Sequence, residues 1–226
     1  MSRPHRGPDP AERSDLGGWL LPAALSFTAT VGALAWIMRT VAGNRMAPWI
    51  LGRASGILAY SLLVVLTGSG LLLSHPWRSR VRVPAPPTRI RVHALLAALA
   101  GGALLAHIIV LATDRYAGVG WLGSVLPGSA SYRPFAVALG IIAGWMGILT
   151  AGTAALAARL PLRAWWPIHK VAAGIVGLTW LHALLAGSDA AALRWLYLIS
   201  GAGLLLVGFS RYTTRTPADE LAELGQ

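Results

Sequence analysis

Charged residues along this chain bracket six long, uncharged stretches. The stretches span residues 16–38, 54–77, 92–113, 134–158, 171–188 and 195–210. A helix that crosses the hydrocarbon core of a bilayer needs roughly 17–25 apolar residues, and the first five stretches meet that length. The last is shorter, but Arg194 and Arg211 at its ends can extend their charged groups to the membrane surface. The pattern predicts an all-α polytopic membrane protein folded as a six-helix transmembrane bundle.

A seventh uncharged stretch, residues 116–132, has a different character. It is interrupted by glycine, proline and serine, and irregular backbone exposed to lipid is not tolerated inside the hydrocarbon core. We therefore predict a long loop there, lying on the membrane surface. The composition agrees with a membrane protein, since only 12% of the residues are charged, against about 25% in an ordinary soluble domain.

The ends of the chain are polar. Residues 1–15 are proline-rich and of mixed charge, which predicts a disordered cytoplasmic tail and no cleavable signal peptide. Residues 16–210 form the predicted transmembrane domain, and residues 211–226 form a second short cytoplasmic tail.

Lysine and arginine are unevenly divided between the two sides of the predicted bundle. Thirteen lie on the side of the termini and six on the other. Because positive residues favour the cytoplasmic side, we expect a multi-pass protein of the plasma (inner) membrane with both termini cytoplasmic. The net charge of +11 is then explained by topology and by contact with anionic lipid of the bilayer, rather than by nucleic acid.

Four of the six histidines fall inside the predicted helices 3 and 5. His93 and His107 are 14 residues apart, and His169 and His182 are 13 apart. At about 1.5 Å of rise per residue, both separations are roughly 20 Å. Because helices 3 and 5 run in the same direction, His93 should share a level with His169, and His107 with His182. The sequence therefore predicts two bis-histidine sites stacked across the bilayer.

Haem is the ligand that suits two facing histidines, because it takes one on each axial side. Zinc prefers about four protein ligands at one level. The chain contains no cysteine, which excludes disulfides, thiolate catalysis and cysteine-bound iron–sulfur clusters. Proton relay and metal transport are disfavoured, because no Asp or Glu lies within the six stretches. We predict two b-type haems, with iron bound by His93, His107, His169 and His182.

Glycines lie midway between the histidines of each helix: Gly101, Gly102, Gly174 and Gly177. They either form a strip free of side chains for a porphyrin or allow close helix packing. The 13-residue spacing presents a second question, since 13 ideal helical steps rotate by about 220° beyond full turns. Helix 5 is therefore either distorted between its histidines or approached by the two haems from different directions.

These spacings resemble those of the ferric reductase-like transmembrane domain, a family shared by ferric reductases, NADPH oxidases and the haem subunit of the periplasmic methionine-sulfoxide reductase system. Four further stretches look like bacterial members: WILGRASGILAY (49–60), TDRYAGVGWLGSVLPGSASYRP (113–134), WWPIHK (165–170) and LHALLAGSD (181–189). The resemblance implies six helices and two b-type haems. It places the His93–His169 haem on the cytoplasmic side and the His107–His182 haem on the outer side.

The chain departs from this family in two places. Relatives often carry an arginine shortly before the histidine of WWPIHK, where this chain has Trp166 and Pro167, and Arg163 can take its place at a haem propionate. Many relatives also continue into a cytoplasmic domain that binds FAD and NAD(P)H. Here a short tail follows Arg211, and no glycine-rich nucleotide fingerprint is present in a soluble context.

The expected function is transmembrane electron transfer, as an oxidoreductase component rather than an enzyme with catalytic residues of its own. A separate cytoplasmic flavoprotein, or a quinol, would donate electrons, and an acceptor on the outer side would receive them. The same scaffold can alternatively serve a periplasmic methionine-sulfoxide reductase. An alternative of another class is a haem-free transporter or assembly factor.

Residues near the two predicted haem levels could assist haem binding. The candidates for pairing with haem propionates are Arg89, Arg91, Arg115 and Arg133. Contact with lipid headgroups is an equally ordinary role for them. Trp121 and Tyr132, in the predicted outer loop, could cover the outer haem or line a site for the acceptor, although aromatic residues are common at membrane interfaces.

Overall fold

The computed structural model describes residues 10–41, 43–79, 84–157 and 159–214, with the backbone alone for 10–20, 78–79 and 162. Six of its helices are long and apolar enough to cross a membrane. They are Leu21–Thr40, Ala47–Ser74, Pro86–Thr113, Pro134–Ala155, Arg163–Ala186 and Arg194–Thr213. The prediction of an all-α six-helix bundle, and of a multi-pass membrane protein, is confirmed.

Eight α-helices make up this part of the chain, and no strand occurs among the described residues. The helices are α1 (Pro10–Thr40), α2 (Ala47–Ser74), α3 (Pro86–Thr113), α4 (Gly120–Val125), α5 (Pro134–Ala155), α6 (Leu162–Lys170), α7 (Ala172–Ala186) and α8 (Arg194–Thr213). A 3₁₀ turn, Pro76–Ser79, follows α2. The helices α6 and α7 together form the fifth membrane span.

Proline begins three of the spanning helices. It occupies the first or second helical position in α2, α3 and α5. Its fixed backbone angle suits a helix, and the N–H that it lacks would have no partner in the first turn. These prolines explain why α2 and α3 begin several residues before their uncharged stretches.

The helix ends differ in detail from the expected boundaries. Helix α1 begins at Pro10, so residues 10–15 are helical although we expected them in a disordered tail, and α8 continues to Thr213. Residues 1–9 and 215–226 of the two predicted tails lie outside the described residues. Arg53, expected to flank helix 2, instead lies inside α2, where its guanidinium forms an ion pair with Asp189.

The spanning helices pack mainly in neighbouring pairs. Helix α2 packs against α3, α1 also packs against α3, α5 against α7, and α8 against α2. Among the described helices, α3 and α7 do not pack closely against each other, although both carry predicted haem ligands. A gap between α3 and α7 is therefore bridged by side chains rather than closed by contact between backbones.

The connection between α3 and α5 packs against the bundle. Ala130 is buried against Val137 and Ile141 of α5. The indole Nε1–H of Trp145 in α5 donates a hydrogen bond to the carbonyl of Val125, at the end of α4 (3.0 Å). The connection is not a span, as predicted, but it contains the short helix α4 and lies along α5.

Candidate functional site: two histidine pairs between α3 and α6–α7

The four histidines form two pairs. The ring centres of His93 and His169 are 6.2 Å apart, with an angle of 69° between the ring planes. The ring centres of His107 and His182 are 6.4 Å apart, with an angle of 79°. The pairing expected from the helical spacing is therefore present, with one pair near each end of the bundle.

The fifth span is interrupted between its two histidines. Helix α6 ends at Lys170, just after His169, and α7 begins at Ala172. At the junction, the N–H of Val171 bonds to the carbonyl of Ile168 (3.1 Å), and the N–H of Gly174 to that of Val171 (2.8 Å). These are 3₁₀-type bonds, which add about 20° of rotation per residue relative to an α-helix. Of the two explanations for the 13-residue spacing, helix distortion is therefore observed.

His107 and His182 are each oriented by a backbone carbonyl. Nδ1 of His107 lies 2.7 Å from the oxygen of Gly52 in α2, and Nδ1 of His182 lies 2.8 Å from the oxygen of Ala136 in α5. A carbonyl oxygen can only accept a hydrogen bond, so Nδ1 must carry the proton in both rings. Each neutral ring consequently has its lone pair on Nε2, the nitrogen that remains available to a metal.

The other pair has different surroundings. Nδ1 of His93 lies 2.8 Å from the hydroxyl oxygen of Ser69 in α2. Nδ1 of His169 is buried and has no hydrogen-bond partner in the described part of the chain. The His169 ring is instead positioned by aromatic contacts, stacked on Trp166 (ring centres 6.1 Å apart) and edge-on to Trp165 (5.6 Å).

Three glycines that were not predicted from the sequence make room for the imidazole rings. A Cβ atom added to Gly56 or Gly140 would lie 2.8 Å from Cε1 of His107 or 2.7 Å from Nδ1 of His182. A Cβ on Gly70 would lie 3.1 Å from Cε1 of His93. Gly56 and Gly70 are 14 residues apart in α2, the same spacing as the two histidines of α3. This repeated spacing is the feature of the sequence from which the two glycines of α2 could have been predicted.

The porphyrin-strip interpretation is wrong for the glycines of α3. A Cβ on Gly102 would lie 2.9 Å from Cβ of Thr30 in α1, and one on Gly101 would contact Phe27 at 3.7 Å. Both glycines therefore face α1, and Gly102 allows α1 and α3 to approach closely. In α7, Gly174 and Gly177 are exposed, and a Cβ on Gly177 would meet no atom within 4 Å.

The predicted arginines of α3 lie at its two ends. Arg89 and Arg91 are in the turns before His93, and the Nε–H of Arg89 donates to the carbonyl of Pro84 (2.6 Å). Arg115 follows α3 and is exposed at the edge of an open cleft of about 320 Å³, which is also lined by the buried Asp114. None of these contacts joins an arginine to a histidine.

Tyr132 and Arg133 fasten the α3–α5 connection to the end of α7. The hydroxyl of Tyr132 donates to the carbonyl of Ala186 (2.8 Å), and the guanidinium of Arg133 donates to the carbonyl of Leu185 (2.5 Å). Both carbonyls belong to the last turn of a helix, where they lack partners within the helix. Trp121 of α4 is 60% exposed.

The remaining described histidine, His75, lies at the end of α2, where a solvated position is the ordinary expectation, but it is not solvated. It is buried at the end of α2, with Nε2 3.2 Å from the hydroxyl of Ser210 in α8. Its Nδ1 accepts the backbone N–H of Trp77 (3.2 Å). Both ring nitrogens are thus occupied, which separates His75 from the paired histidines.

Comparisons of the chain with protein-family models, with curated proteins and with solved structures found no match. The fold defines the class of protein: a multi-pass membrane protein with six candidate spans. Its distinguishing feature is the presence of two histidine pairs at different levels of one bundle. The resemblance to the ferric reductase-like domain stays a prediction.

Proposed function

We propose that this protein carries electrons across a membrane through two b-type haems, held by His93 with His169 and by His107 with His182. The observation that supports this most strongly is the arrangement of the His107–His182 pair. Both Nδ1 atoms donate to backbone carbonyls, so both Nε2 lone pairs are available to an iron atom between the rings. Such orientation of a ligating histidine through its other nitrogen is general in metalloproteins.

The separation of the rings fits this assignment. Two imidazoles that each bind one metal at about 2 Å have ring centres roughly 6 Å apart. The observed separations are 6.2 Å and 6.4 Å. Helices α3 and α7 do not pack closely against each other, so the paired rings, rather than the helix backbones, meet between them.

The donor set favours haem over a metal ion bound by protein alone. Within the described residues, no group of three or more histidine, aspartate or glutamate side chains could hold a metal ion. A site with two protein ligands is complete only if the metal brings its other ligands with it, as the iron of haem does. Bis-histidine haem has no open coordination position, so the chemistry supplied is outer-sphere transfer of one electron at a time.

The chain's own contribution is to hold and orient the ligands and to keep water away. Gly52 and Ala136 fix the rings of the His107–His182 pair through their carbonyls. The α3–α5 connection, fastened by Tyr132 and Arg133 to the end of α7, closes the bundle beside this pair. Exclusion of water lowers the local dielectric and is one of the ways in which a protein tunes a redox group.

Direction and partners follow from the predicted topology. A separate cytoplasmic flavoprotein or a quinol would reduce the site at the His93–His169 pair. An acceptor on the outer side would take the electron from the His107–His182 pair. Arg89 and Arg91 lie next to the first pair, and Arg115 and Arg133 lie beyond the second, where positive charge would suit a haem propionate or an anionic acceptor.

The test is a reduced-minus-oxidised spectrum of the purified protein with a measured haem-to-protein ratio. We expect two b-type haems per chain, and one each in His93→Ala and His107→Ala. His75→Gln is the matched control, because His75 is a buried histidine whose ring nitrogens bond to Ser210 and to the backbone of Trp77, and both haems should remain. A purified protein without b-type absorbance would eliminate the proposal in favour of a haem-free transporter or assembly factor.

A further inference from the structure

The two histidine pairs differ in what their Nδ1 atoms contact. In the His107–His182 pair, both atoms face backbone carbonyls. In the His93–His169 pair, one atom faces the hydroxyl of Ser69, and the other has no partner among the described residues. Ser69 is therefore the one side chain of the described chain that accepts a hydrogen bond from any of the four paired rings.

The hydroxyl of Ser69 lies between two partners. Its oxygen is 2.7 Å from the carbonyl of Leu66, one turn earlier in α2, and 2.8 Å from Nδ1 of His93. If Nε2 of His93 binds iron, as proposed, Nδ1 carries the proton and the Ser69 oxygen accepts it, while the hydroxyl proton is directed at Leu66. The neighbouring Gly70 leaves space for the same ring, since a Cβ there would lie 3.1 Å from Cε1 of His93.

We propose that Ser69 is a positioning residue that orients His93 and lowers the reduction potential of the haem held by His93 and His169. The inference rests on the proposed function. An acceptor on Nδ1–H makes the opposite nitrogen a more basic ligand, and a more basic ligand stabilises ferric over ferrous iron. Because Nδ1 of His169 has no such acceptor among the described residues, the acceptors of this pair are the Ser69 hydroxyl and the backbone carbonyl of Leu66, both at the His93 ring, and only the hydroxyl belongs to a side chain.

The asymmetry has a consequence for the two sites. At the His107–His182 pair the acceptors are main-chain carbonyls, which a side-chain substitution does not remove. At the His93–His169 pair one acceptor of the His93 ring is a hydroxyl that a single substitution deletes, beside the carbonyl of Leu66, which that substitution leaves in place. The potential on the side of the electron donor is thus adjustable by a side chain, whereas the potential on the acceptor side is set by the backbone.

The experiment compares Ser69→Ala with Ser69→Thr in the full-length protein, by optical redox titration and by electron paramagnetic resonance of the oxidised haems. In Ser69→Ala we expect one haem to become easier to reduce, on the order of three- to tenfold in its reduction equilibrium. Ser69→Thr keeps the hydroxyl and should retain both wild-type potentials. The control is Thr28→Val, since the Thr28 hydroxyl bonds to the carbonyl of Ala24 in α1, a helix that carries none of the paired histidines.

Repeating Ser69→Ala in the His107→Ala background assigns the shift, because only the His93–His169 haem is expected there. Two haems with unchanged potentials and resonance signals in Ser69→Ala would overturn the proposal. Loss of one haem in Ser69→Ala but not in Ser69→Thr would support the positioning role, and loss in both would refute it. A wild-type protein without haem would instead refute the proposed function, so the two failures are distinguishable.

Discussion

Replacing Gly140 with alanine should displace His182 while leaving the bundle folded. The added Cβ would lie 2.7 Å from Nδ1 and 2.8 Å from Cε1 of the His182 ring. Non-bonded atoms pack favourably at about 3.5–4.0 Å, so the ring must retreat by about 1 Å. The ring has little freedom to do so in place, because its Nδ1–H is bonded to the carbonyl of Ala136 in the preceding turn of α5.

The displacement is large enough to remove that hydrogen bond. The Nδ1···O distance is 2.8 Å, and a shift of about 1 Å takes it beyond the roughly 3.2 Å limit of an N–H···O bond. Loss of one such bond costs about 0.5–1.5 kcal/mol. Alanine is favoured over glycine in a helix by about 1 kcal/mol, which offsets most of the loss. The stability of the fold should therefore change little, while Nε2 of His182 no longer faces His107.

The assay is the haem-to-protein ratio of the purified variant, together with its electron paramagnetic resonance spectrum and thermal unfolding midpoint. We expect Gly140→Ala to fold and to lose the haem of the His107–His182 pair. Gly144→Ala, one turn further along α5, is the matched control, because a Cβ there meets no atom within 4 Å. The reasoning fails if Gly140→Ala retains two haems with unaltered spectra, or if Gly144→Ala loses the same haem.

Two further predictions concern the bundle itself. Arg53→Gln and Asp189→Asn should each lower the free energy of unfolding by less than about 1 kcal/mol, because the two side chains are 38% and 29% exposed. Thermal unfolding of the two single variants and of the double variant measures the coupling energy between the side chains. A larger coupling would contradict this estimate. Gly102→Ala should destabilise the protein by about 1–3 kcal/mol by forcing α1 away from α3, with both haems retained. Its control is Gly32→Ala in α1, where a Cβ has open space, and equal stability of the two variants would refute the packing argument.

The level of each histidine was predictable because the rise of a helix per residue is nearly constant. Two histidines 14 residues apart in α3 and two 13 apart in a parallel span reach the same pair of levels in any straight bundle. The spans themselves were predictable because charge is so costly in the hydrocarbon core that it marks their ends. The prolines that begin α2, α3 and α5 shifted these ends by a few residues without changing their number.

The direction in which each histidine points around its helix axis was harder to predict than its level in the bundle. The 13-residue spacing indicated that His169 and His182 would not share a face in an ideal helix, but it left two explanations open. The interruption at Val171 depends on hydrogen bonds at one junction, where carbonyls three residues back replace those four back. The propensities of the residues do not determine that choice, which is made together with the packing of α6 and α7 against their neighbours.

The sequence by itself determined the six spans, the two levels and the four histidines that occupy them. Only the tertiary structure decided which glycines matter: Gly102 faces α1, whereas Gly56, Gly70 and Gly140 face the imidazole rings. It also decided that Ser69 and two carbonyls orient three of the rings, and that His169 has no such partner among the described residues. The position of a residue along a helix follows from local helix geometry and can be calculated from the sequence. The residues that each helix face contacts depend on how the helices pack together.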